Sequence, residues 1–295
     1  MANVVLRSAY IAELIKGFDN LNEDFLANVP DHSDKVGNNV IDMTEIGADP
    51  AVLIDNHVYP LAAAQREDEG KVVSLRKMET EVTIITDDEL YALPYDKKGS
   101  VLDRHKVALR MEALKLALYS FCPAGHTSDT PVLETTGSVR NGRKMLTVDD
   151  VIKFRETLDG LGVPQDGCNM VLCNEHVADL RLIDQTFRDQ YHEIKNGKIG
   201  DMYGFTIFHN HYAPTFDASL AKVAYGAARL DAHKTASVAF YAPNAMKARG
   251  DAKMYYAEAA TNPRYKQNEV SFTLYFLSTP KKVTGFGALV SGKNG

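Results

Sequence analysis

Two cysteines and three histidines crowd into the stretches CNMVLCNEH, from Cys168, and HNHYAP, from His209. Thiolates and imidazoles are zinc and other transition-metal ligands. A site assembled from Cys173, His176, His209 and His211 would make the chain a metal-dependent enzyme. Spacing restricts that idea. If CNMVLC is a strand, Cys168 and Cys173 point to opposite faces and lie about 16 Å apart along it. Each zinc–sulfur bond is only about 2.3 Å long, so those two cannot share an ion. Cys173 and His176 can meet across a strand–helix turn, and His209 and His211 share one strand face. The two pairs must still meet each other. The plainer reading makes both cysteines small buried apolar residues and places the histidines where a strand leaves its sheet. The letters H-N-H also occur in a nuclease signature, but FHNHYAP has neither the ββα metal context nor the basic surroundings.

Other catalytic signals are missing. The sequence has no G-x-S-x-G, no G-x-x-x-x-G-K-[ST], no G-x-G-x-x-G and no H-E-x-x-H. TGFGALVSGKNG is glycine-rich but lacks the strand–helix unit of a phosphate loop. The acids of QREDEG, Gln65 to Gly70, could do acid–base chemistry, yet they fit a solvated turn better. The expectation is a protein with no catalysis, no cofactor and no metal.

The chain has 295 residues, 45% hydrophobic and 24% charged, enough for one large domain or two modest ones. A net charge of −6 gives no basic footprint for gripping nucleic acid. No apolar run approaches the roughly 20 residues of a membrane-spanning helix. The first residues show no secretory signal. Three cysteines argue against a disulfide framework.

The elements that would position these residues follow from periodicity. Ile11, Leu14, Ile15 and Phe18 form one helical face, after which VPDHSDKVGNNV breaks the pattern. This reads as an amphipathic arm on a loose tether. AVLIDNHVYPLAA and KVVSLRKMETEVTIIT read as the two strands of a long hairpin with QREDEG at its tip. Two strands alone are marginal in water, so another strand or another molecule must support them. Residues 99–121 give the strongest helix signal, with apolar rows Val107–Met111–Leu114–Leu118–Phe121 and Leu102–Leu109–Ala113–Leu116. At about 1.5 Å per residue this strut spans about 35 Å, gripped from two sides. Beyond Gly137, Thr147 and Asp150 form a capping-box start, CNMVLC forms a strand, Asn174 caps the next helix, and KNGKIGDMYGFTIFHNH gives a turn and a strand: an α/β region. From Ala236 the chain turns mainly extended.

This order resembles the major capsid proteins of tailed bacteriophages, the Hong Kong 97-like fold. ELYALPYDKKGSVLDRHKVALRMEALKLALYSF is similar to the family's spine-helix segment. LDGLGVPQDGCNMVLCNEHVADLR resembles its helix–turn–strand–helix unit, with Cys168 and Asn169 near where Arg or Lys often stands. IKNGKIGDMYGFTIFHNHYAP, SVAFYAPNAM and GFGALVSG resemble later stretches of the same fold. The resemblance implies an α+β fold with an N-terminal arm (1–37), an extended hairpin or E-loop (38–86), a peripheral domain (87–135 and 233–283) and an α/β axial domain (136–232 and 284–295). It implies a shell-forming protein of hexamers and pentamers around double-stranded DNA, bound without sequence specificity. Its partners would be copies of itself, with scaffolding, portal and cement proteins. It would have no membrane role and would sit in the virion after assembly in the host cytoplasm. No scaffolding extension precedes residue 1, and no motif picks a Lys–Asn cross-link pair. Gln65, Arg66, Glu67, Asp68, Glu69 and Gly70 would touch the adjacent subunit. Arg104, Lys106 and Arg110 would pair with that tip or with the arm. Alternatives are an encapsulin-like nanocompartment shell, the metal-dependent enzyme above, and a monomeric interaction module.

Overall fold

Segments with apolar side chains on every residue need cover on both faces, and CNMVL at 168–172 has it. In the computed structural model the described residues are 11, 25–45, 52, 54–57, 59–60, 69–86, 96–192, 197–261 and 264–292. In chain order, two short 3-10 turns, Phe25–Asn28 and Ser33–Lys35, precede β1 (Val40–Glu45), β2 (Glu69–Ser74), β3 (Arg76–Glu79) and β4 (Thr83–Thr86). The long helix α1 (Lys97–Phe121) follows. Then come β5 (Val132–Glu134), β6 (Val139–Arg140), β7 (Arg143–Lys144), α2 (Val148–Gly160), β8 (Cys168–Leu172), α3 (Asn174–Ile183) and α4 (Gln185–Tyr191). The chain continues through β9 (Lys198–Met202), β10 (Phe205–His209), β11 (Thr215–Phe216), β12 (Lys234–Tyr241), β13 (Ala245–Ala257), β14 (Gln267–Pro280) and β15 (Phe286–Val290).

A seven-stranded sheet has the order β5-β15-β12-β8-β10-β9, with β11 pairing β12. Within it β8 and β10 are parallel, as are β15 and β5. A second sheet joins β13, β14 and β3, with β4 also on β14. One core lies between them. Leu102, Leu109, Ala113, Leu116 and Phe121 of α1 pack with Val270, Phe272, Leu274 and Phe276 of β14, and with Val171, Val238, Phe240 and Phe286 of the large sheet. The opposite face of the large sheet is covered by Phe154 and Leu158 of α2, Val177 and Leu180 of α3, and Phe187 of α4, against Met170, Leu172, Ile207 and Leu289. That double cover is why β8 is buried along its whole length.

Local signals hold where the chemistry is local. Asp96 accepts from the Gly99 amide and starts α1 at Lys97. Thr147 and Asp150 form the full capping box of α2. The Asn141–Gly142 pair, both at positive φ, makes the tight turn between β6 and β7.

Several expectations are corrected. Residues 25–29 are no tether: Phe25, Leu26 and Val29 are buried in the core beside α1. The hairpin pairs β1 with β2, from Val40↔Ser74 to Glu45↔Glu69, rather than 51–63 with 71–86. The described residues 52, 54–57 and 59–60 carry no strand. The expected second strand is broken at Leu75, which is buried with Ile41, Met246, Ala248 and Leu277. That anchor ends the hairpin, and β3 and β4 pass into the second sheet. Val107 is 51% exposed, so α1 is gripped from two sides only beyond Ala113. Residues 234–241, grouped from the sequence with the peripheral part, pair as β12 in the middle of the seven-stranded sheet. Asn174 is the first residue of α3 rather than its cap, a place taken by Cys173. Leu14, Ile15 and Phe18 lie outside the described residues.

Candidate functional site

The four candidate metal ligands do not converge. His176 opens α3 and is fully buried; its Nδ1 lies 2.7 Å from Ser237 Oγ of β12, and its Nε2 lies 3.1 Å from Ser291 Oγ. Both ring nitrogens are thus occupied by hydroxyls. Cys173 is buried beside it, its amide donating to the same Ser237 Oγ. His209 ends β10 with its Nε2 2.7 Å from Asn174 Oδ1, and His211 is exposed with its ring against Tyr212. Among the described residues no three His, Cys, Asp or Glu side chains gather as a metal site.

What surrounds His176 is a polar joint that sequence reading missed. Arg143, from β7, donates to both carboxylate oxygens of the fully buried Asp179, at 2.5 and 2.9 Å. The Leu146 amide donates to Asp179 as well, at 3.0 Å. Glu175 accepts from the Thr235 hydroxyl and lies 3.3 Å from Arg143 Nε. Burial opposes ionisation of Glu175, but the Thr235 hydroxyl and the Arg143 and Arg229 cations outweigh it and hold the carboxyl below its ordinary range. The joint ties the β6–β7 hairpin, α3 and β12 together. Each ion is satisfied, the condition under which buried charge is tolerated.

The residues expected at a subunit contact fall in three places. Gln65, Arg66, Glu67 and Asp68 lie outside the described residues. Glu69 and Gly70 sit in β2, opposite Glu45 and Thr44, so they belong to the hairpin's arm and its turn falls within 46–68. On α1, Lys106 pairs with Asp103 at 3.2 Å, Arg110 is half-buried, and Arg104 is exposed. The hairpin also carries the most exposed large apolar side chains among the described residues: Val52 (87%), Ile54 (84%) and Tyr59 (75%).

Arg104 stands at an open groove of about 730 Å³ between the first half of α1 and the β3–β4 segment. Met78, Leu109 and Leu116 form its apolar floor. His105 lines it too, and its Nε2 has no hydrogen-bond partner.

No family model matches the sequence, and no curated protein matches it. Solved structures do. The capsid of the cyanophage P-SCSP1u is 14% identical with a TM-score of 0.62, over 90% of this chain and 87% of that one. The capsid of Ralstonia phage GP4 is 9% identical with a TM-score of 0.66, over 91% and 88%. The virus-like particle from Pyrococcus furiosus is 11% identical with a TM-score of 0.55, over 96% and 99%. At such identities the kinship is one of shape: a long helix between two sheets, a projecting hairpin, a doubly covered seven-stranded sheet. The chain has the α+β Hong Kong 97-like fold of tailed-phage capsid proteins.

Proposed function

We propose that the protein is the major capsid protein of a tailed bacteriophage, building hexamers and pentamers of an icosahedral shell around double-stranded DNA. One observation carries the reading. A two-stranded ribbon, β1–β2, has no third strand among the described residues, and its connection holds Val52, Ile54 and Tyr59 out in solvent. Two strands are marginal alone, and large exposed apolar groups mark association surfaces. Copies of the chain supply the missing cover through heterologous contacts that close into rings, with about 1,600 Å² or more buried per pair. The net charge of −6 suits a wall that packaged DNA does not stick to. On this reading the spine helix and the β13–β14 sheet form a peripheral part and the seven-stranded sheet an axial part. Scaffolding, portal and cement proteins are its other partners, the virion is its destination, and the host cytoplasm its place of assembly. The reading asks no catalysis of Cys173, His176, His209 or His211.

The acidic run of the hairpin, Glu67 to Glu69, contacts the adjacent subunit, where Arg104, Lys106 and Arg110 offer opposite charge. Changing Glu67, Asp68 and Glu69 together to Lys is expected to stop particle formation, seen by negative-stain microscopy, while circular dichroism of the soluble subunit stays the same. Normal particles from that variant would remove the acidic run from the contact.

A second reading has one specific support, the likeness to the Pyrococcus furiosus virus-like particle across 96% of this chain: an encapsulin-like compartment without DNA. Particle diameter and the 260/280 nm absorbance ratio of purified particles separate the two.

A further inference from the structure

We propose that the groove beside α1 is the seat for the apolar run Val52–Tyr59 of a second copy of this chain. The inference rests on the shell reading and assigns its main contact to apolar insertion rather than to the acidic run.

The donor side is a chemical problem left open by the single chain. Val52, Ile54 and Tyr59 are 87%, 84% and 75% exposed, so the chain's own groove does not hold them. They lie in the 46–68 connection between β1 and β2. Folded back on itself at about 3.3 Å per residue, that connection can reach about 35 Å beyond the paired strands. The receptor side has the complementary need. Its floor, Met78, Leu109 and Leu116, is apolar, while its mouth is open.

Charge fits as well. Arg76 and Arg104 line the groove, and neither meets a carboxylate among the described residues. The incoming run carries Asp55 directly after Ile54, exposed at positive φ. An Asp between the two cations exchanges hydration for paired charge, which fixes register more than it adds affinity. His105 adds a polar requirement, since its Nε2 is without a partner and an unmade buried hydrogen bond is costly. Tyr59 brings a ring for the floor together with a hydroxyl. Every copy owns one run and one groove, so the contact is heterologous and propagates around a ring.

The test uses the full chain. In a variant carrying Ile54→Cys and Ala108→Cys, oxidation of assembled particles is expected to give a ladder of covalent multimers on a non-reducing gel. Neither single variant should give it, because the native cysteines are buried. Ala108 is exposed on the groove wall, so the change leaves the fold alone. Particles that form but stay unlinked overturn the seat while leaving the shell reading intact. A second variant, Val52→Asp with Ile54→Asp, is expected to cut particle yield at least tenfold with no change in the subunit's unfolding midpoint. Undiminished yield overturns the inference. A wild-type chain that never assembles overturns the shell reading and this inference with it.

Discussion

His176 and His105 are both buried imidazoles, in opposite circumstances. His176 has a serine hydroxyl at each ring nitrogen. His105 is 8% exposed, tilts against Phe272 at 5.6 Å between ring centroids, and leaves Nε2 unpartnered. Burial pushes its pKa below the ordinary 6.5. As pH falls through 6.5 the unfolded chain takes up a proton that the folded chain refuses, so stability present above 6.5 is lost toward the lower folded value. Thermal melts of the subunit at pH 7 and pH 5 are expected to show a drop in midpoint. His105→Leu should shrink that drop, and an unchanged drop would show that His105 is not its source. His209, lowered by burial and by His211, acts in the same direction, so some of the drop remains. Single residues were the least legible scale in the sequence. Arg143 and Asp179 are 36 positions apart, in segments with no shared pattern, and only the folded sheet brings them together.

Elements whose signals are local could be read directly; elements defined by a distant partner could not. The start of α2 is the clear local case. Thr147 Oγ1 accepts from the Asp150 amide, and Asp150 returns the bond to the Thr147 amide. Asp150 also accepts from the Thr136 amide at 3.1 Å and its hydroxyl at 2.6 Å, which no cap pattern announces. Losing the cap hydroxyl in Thr147→Ala should cost about 1 kcal/mol. Asp150→Ala, which strands the Thr136 donors as well, should cost about 2–3 kcal/mol. Urea unfolding of the two variants checks the order; equal losses would mean that Thr136 gains nothing from Asp150. The hairpin is the opposite case. Alternation in KVVSLRKMETEVTIIT is real, yet where one strand stops is set by Leu75 entering a cluster with Met246 and Leu277, residues some 170 and more positions later. Hairpin existence was therefore legible, and its register and the sheet membership of β3, β4 and β12 were not.

Across the whole molecule, residues 25–33 act as a strap over the junction of the two sheets. Phe25 meets Phe240 of the large sheet edge-on at 6.1 Å, and Asn28 donates to Asn169 of β8 at 2.9 Å. On the other side Lys247 of β13 donates through Nζ to Leu26 O at 2.8 Å, and its backbone bonds both Pro30 and His32. Phe25→Ala should therefore cost about 3–5 kcal/mol. Val107→Ala, at an exposed site on α1, should cost under about 1 kcal/mol. A shift in denaturation midpoint no larger for Phe25→Ala than for Val107→Ala would mean the strap is dispensable. The seven-stranded sheet carries a further consequence. β15 pairs on one side with β5 and on the other with β12, so a slot stays empty in the sheet until residue 290 has been translated. From the emergence of β12 until then, a nascent chain carries bare backbone on both flanks of that slot, and at about 5–20 residues per second it does so for seconds on the ribosome. Unfinished chains are thus withheld from the finished geometry by the order of synthesis itself.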